Sequence, residues 1–137
     1  LSVSSPPSLS VSSSLYSTLS ELERNDPLAP ELLVSNDVMD LEVESIQHTL
    51  SHSNISPEDC IQLTMRLATI QSQLVLLVTK VQNESISLEE YLTSLRNRVS
   101  KDRLLAVYCN TIGKKKEAMQ IAKRILIMEK EIKSAEE

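Results

Sequence analysis

The sequence predicts an all-α protein: an antiparallel helical bundle of three long helices and one shorter acidic helix, with a disordered N-terminal tail. Three observations carry that prediction. Apolar residues recur at alternating spacings of three and four along most of the chain after residue 35. Strong helix-start signals punctuate the pattern at Ser56-Pro57 and at Ser87-Leu88-Glu89-Glu90. The whole 137-residue chain contains one glycine and neither Phe nor Trp, while 41% of it is hydrophobic. The core must therefore be aliphatic, and the turn chemistry of hairpins, phosphate-binding loops and dinucleotide folds is missing.

The first element is the tail. Half of the first twenty residues are Ser, with Pro6 and Pro7 among them, and Pro27 and Pro30 interrupt the stretch before Leu33. Residues 1–33 are read as a Ser/Pro-rich disordered tail or linker, and residues 34–137 as the helical-bundle domain. A first helix is expected from Ser35 or Asn36 to His52, capped by Ser35, Asn36 or Asp37, with Met39, Val43, Ile46 and Leu50 on one face. The second begins at Pro57, where a missing N–H costs nothing. Cys60, Leu63, Leu67, Ile70, Leu74, Leu77 and Val81 then form three heptads of a/d seam. Further apolar residues at Ile61, Ala68, Val75, Leu76 and Val78 widen this stripe and predict a central position for the helix.

The capping box Ser87/Glu90 opens a third helix carrying Leu88, Leu92, Leu95, Val99, Ala106 and Cys109, and Gly113 is its natural stop. Ala118, Ile121, Ile125, Met128, Ile132 and Ala135 mark a fourth. The three later helices have matched lengths and short connections, which makes neighbours antiparallel.

The net charge of −5 conceals a polarity: residues 21–59 carry ten acids and one base, whereas residues 100–137 carry nine bases and six acids. Cys60 and Cys109 fall on apolar helical positions and read as buried thiols of a reducing, cytoplasmic compartment. No uninterrupted apolar run approaches the ~18 residues of a membrane span, so membrane contact is expected to be peripheral or through a partner. The triplets at Asn54 and Asn83 match the glycosylation pattern only as chance matches in a Ser-rich chain. Glu44, His48 and His52 have helical metal-ligand spacing without a fourth ligand, and they read as solvated groups at a helix end. No nucleophile has a base beside it. No catalytic, cofactor or metal residue is nominated, and the domain is expected not to be an enzyme.

Lys114, Lys115 and Lys116 stand out because they begin the fourth helix, where the macrodipole disfavours cations. With Lys101, Arg103, Lys123 and Arg124 they suggest a basic hairpin surface for an acidic partner helix. Nucleic acid is disfavoured by the negative net charge and the lack of stacking aromatics. Two alternatives accompany this reading. The chain could be a structural oligomerisation domain of a larger protein, self-associating through Leu63, Leu67, Ile70, Leu74 and Leu77. The acidic first helix could also fold over the basic hairpin and mask it.

From Tyr91 to Ile132 the pattern Tyr91-Leu92, Leu95, Asp102, Leu105-Ala106, Gly113, Lys116, Ala118, Lys123-Arg124, Met128 and Ile132 resembles the basic helical-hairpin repeat of the Lethal giant discs family. Those proteins are endosomal regulators with a lipid-binding β-sandwich domain. The resemblance implies an endosome-associated scaffold role in multivesicular-body sorting. It also implies that Lys114, Lys115, Lys116, Lys123 and Arg124 grip an acidic helix of an ESCRT-III filament subunit. The long aliphatic second helix has no counterpart in that repeat.

Overall fold

A computed structural model describes residues 15–137, and its regular elements are all helical, with no strand among the described residues. Helix α1 spans Glu21–Asn25, a 3₁₀ turn Pro30–Leu32, α2 Asn36–His52, α3 Pro57–Gln82, α4 Leu88–Thr111 and α5 Lys115–Glu136. The helix starts expected for α2, α3 and α4 are present. Ser35 accepts from the Val38 N–H, Ser56 accepts from the Asp59 N–H ahead of Pro57, and Ser87 and Glu90 form the reciprocal capping box.

Gly113 ends α4 with φ 87°, and the Lys114 N–H reaches back to the Cys109 carbonyl at 2.7 Å, closing the left-handed helix stop. The end of α3 uses the same geometry without glycine. Glu84 takes φ 61° while the Ser85 N–H donates to the Lys80 carbonyl at 2.9 Å.

The bundle consists of two helical hairpins. Helix α4 packs along α5 and α2 along α3, and the pairs meet mainly where α2 lies against α5. Leu92, Leu95, Val99, Leu105 and Cys109 of α4 are buried with Ala118, Ile121, Ile125 and Met128 of α5, joined by Val38, Met39 and Ile46 of α2. Each buried Leu or Ile contributes roughly 1.5–3 kcal/mol, so these stripes outweigh the caps at about 1 kcal/mol each. Burial pushes the Cys109 thiol pKa up and keeps it protonated.

Helix α3 departs from expectation. It is peripheral rather than central: Ile70 is its one fully buried residue, and Leu63, Leu67, Leu74 and Leu77 are half-buried against the core. The seam expected to mediate self-association therefore faces the chain's own interior. The additional apolar residues that suggested several neighbours form an outward face instead, and Cys60 is exposed, not buried. By length and composition α3 also suffices to cross a membrane, against the expectation drawn from uninterrupted runs. Between Asp59 and Lys80 its sole charged residue is Arg66, which is held 2.7 Å from Glu42 of α2.

The domain boundary also moves. Residues 1–14 of the expected tail lie outside the described residues, but residues 15–33 form a strap with Leu19 only 2% exposed and Ala29 and Leu33 buried. The strap runs antiparallel along α4. The Tyr16 hydroxyl meets Thr111 Oγ1 at 3.2 Å, Lys101 Nζ donates to the Thr18 carbonyl at 2.7 Å, and Arg98 Nη2 donates to Glu23 at 2.5 Å. At the far end the Asn36 N–H donates to the Tyr91 hydroxyl at 2.9 Å. Ser20 and Glu23 cap α1 with a second capping box, an S-x-x-E pattern present in the sequence.

Candidate docking surface

The basic residues divide into those used inside the fold and those left outside it. Arg124 was expected to grip a partner, but it is buried: its Nε and Nη2 donate to the two Asp102 oxygens at 2.7 Å each. Arg98 Nε donates to the same carboxylate at 2.9 Å and its Nη2 to Glu23, so two guanidinium groups and two carboxylates form a closed, neutral set. Burial works to raise the Glu23 carboxyl pKa, but the Ser20 N–H and Arg98 outweigh it and hold the group below the usual carboxylate range. Arg103 pairs with Glu129, and Lys101 holds the strap. A second lock joins α2, α4 and α5: Ser35 Oγ donates to Glu131 Oε1 at 2.6 Å, and the Tyr91 hydroxyl donates to Glu131 Oε2. Burial and the neighbouring Glu131 carboxylate keep Tyr91 protonated.

Lys115, Lys116 and Lys123 remain exposed, and Lys114 is half-buried at the start of α5. Among the described residues no lysine takes part in an ion pair. Two apolar residues that sequence reasoning passed over lie between the lysines: Met119 is 70% exposed and Leu126 66%. Lys116 and Lys123 stand three before and four after Met119, and Lys123 and Lys130 stand likewise around Leu126. Residues so spaced are neighbours on a helix surface. Met119 and Leu126 are two turns apart, about 10.5 Å along the axis. The outer side of α5 is thus an apolar stripe with a row of lysines along one edge and Lys115, Ala122 and Glu129 along the other, and the seven-residue repeat 116, 123, 130 was readable in the sequence.

The acidic helix does not cover this stripe. It lies beside it, and Asp37, Asp40, Leu41 and Glu44 of α2 line a groove with Ile127 and Lys130 of α5. His48 and His52 stack at 4.4 Å on the exposed end of α2, and among the described residues no group of His, Cys, Asp and Glu is arranged to hold a metal. Comparison of the chain with protein-family models, curated proteins and solved structures finds no match.

Proposed function

We propose that this chain is a non-enzymatic helical interaction module of an intracellular scaffold, and that the outer side of α5 binds an acidic amphipathic helix. The observation that carries this reading is the exposed pair Met119 and Leu126 beside a row of lysines that have no ion-pair partner among the described residues. Surface lysines are common, but large apolar groups at seven-residue spacing beside a row of lysines suit a helix with an apolar stripe and acids along one flank. The residues that would bear it are Lys115, Lys116 and Lys123, with Met119, Leu126 and Lys130 beside them; Arg124 belongs to the core, and Lys114 is half-buried at the start of α5. The resemblance to the Lethal giant discs family would place such a module in endosomal sorting.

The test is titration of the full chain with a synthetic helical peptide bearing Leu at seven-residue spacing flanked by Glu. Affinity should fall several-fold between 50 and 200 mM salt. Replacing Lys116, Lys123 and Lys130 by Glu should weaken it by at least tenfold with helicity unchanged, since each rim pair contributes about 0.2–1 kcal/mol and reversal adds repulsion. Equal affinity of wild type and triple variant would refute the proposal.

A further inference from the structure

Helix α3 has a second heptad series besides the one facing the core. Ile61, Met65, Ala68, Ser72, Val75 and Thr79 follow one another at spacings of four, three, four, three and four, and all six are exposed. Ile61, Met65 and Val75 are 59%, 62% and 67% exposed, large fractions for residues of these types. The middle of the series is small, and a shallow depression runs from Ala68 towards Thr79, lined also by Gln71, Ser72, Val75 and Leu76. Arg66 is turned inward to Glu42, so the outer face carries no charge between Asp59 and Lys80.

We infer that this face binds a second copy of the chain, with the two α3 helices antiparallel across a twofold axis at residue 70. The series is symmetric about that point. Antiparallel pairing sets Ile61 against Thr79, Met65 against Val75 and Ala68 against Ser72, which are the layers of an antiparallel coiled coil. The small residues fall at the centre, where two helices come closest. The ends match in charge as well: the acidic first turn of one copy, Glu58 and Asp59, lies towards Lys80 of the other. Parallel pairing would instead put acid beside acid and lysine beside lysine.

A neutral face selects a neutral partner. The α5 stripe, with a row of lysines along one edge, does not qualify. An anionic bilayer is disfavoured because membrane-surface helices carry Lys and Arg along their polar flanks, and α3 has a single lysine at its end and two acids at its start. A face about 30 Å long and 10 Å wide covers on the order of 300 Å² in projection. Two copies then bury roughly 600 Å² in projection, below a standard interface, which fits a weak dimer formed only at raised concentration.

Sedimentation equilibrium of the full chain from 1 to 300 μM tests this. Wild type should pass from monomer to dimer, and Val75→Lys or Ser72→Lys should shift the midpoint upward by at least tenfold with unchanged circular dichroism. Both positions are exposed, so neither change disturbs the core. In a Cys60→Ser background, Ile61→Cys mixed with Thr79→Cys should form the mixed disulfide faster than either forms its own. A monomer throughout the range, insensitivity to both lysine substitutions, or preferential Ile61→Cys homodimers would overturn the inference. So would a monomer that co-floats with phosphatidylcholine vesicles, which would assign the face to lipid. The Lys116, Lys123 and Lys130 variant should dimerise like wild type, which separates this inference from the acidic-helix proposal.

Discussion

Replacing Asp102 by Ala removes the carboxylate on which both buried guanidinium groups converge. Its oxygens accept from Arg124 twice and from Arg98 once, and the Asp102 side chain is fully buried while that of Arg124 is 7% exposed. Without it Arg124 keeps its charge in a site closed to water, and Arg98 keeps only Glu23. Breaking a buried pair by removing one partner costs about 3–5 kcal/mol, most of it the desolvation of the charge left behind. For a domain of this size about 1 kcal/mol lowers Tm by roughly 4 °C, so a loss of 12–20 °C is expected. Thermal and urea unfolding followed by circular dichroism would measure it. Lys123→Ala, on the exposed side of α5 beside Arg124, should stay within about 0.5 kcal/mol. The double change Asp102→Leu with Arg124→Met should recover most of the loss, because a packed apolar pair leaves no orphaned charge. A cost below about 1 kcal/mol for Asp102→Ala, or a double variant no better than the single one, would refute the argument.

Two further outcomes follow from the turns and the strap. Glu84→Gly should stabilise the domain by about 0.5–1 kcal/mol, because Glu84 sits at φ 61° where a side chain is penalised; an unchanged urea midpoint would count against it. The Glu23 carboxyl is held below its usual value of 4.5 in the fold, so its contribution is full above that pH and is lost as pH falls through the lower folded value. The Tm gap between wild type and Glu23→Gln should therefore be widest near pH 7 and narrow as pH falls below 4.5 through the lowered folded value, and a gap independent of pH would exclude this linkage.

The helix starts were legible because they are local: Ser56-Pro57 and Ser87 to Glu90 satisfy their own first turns whatever packs on them. Gly113 was legible for the same reason, whereas Glu84 adopts the same conformation with no residue type to announce it. Periodicity identified α3 and the seam it buries, Leu63 to Leu77, but the additional apolar residues read as a wider buried stripe because their exposure depends on how many neighbours the helix has. Arg124 read as surface because its burial depends on Asp102, a carboxylate on another helix. The strap was hidden by its Ser- and Pro-rich composition, though Ser20 and Glu23 spelled out a cap that the composition overshadowed. On the candidate docking stripe the lysines were found, but Met119 and Leu126 lay outside the core register and were passed over.

The strap also fixes how the molecule would bear a pull. The described chain enters beside Thr111 at one end of α4, and its last turn ends where Arg96 holds Glu136 towards the other end. Traction between those points is directed along the helix axes. It would drive the strap lengthwise past α4, so the contacts of Tyr16, Thr18 and Glu23 would be strained together instead of peeling in succession.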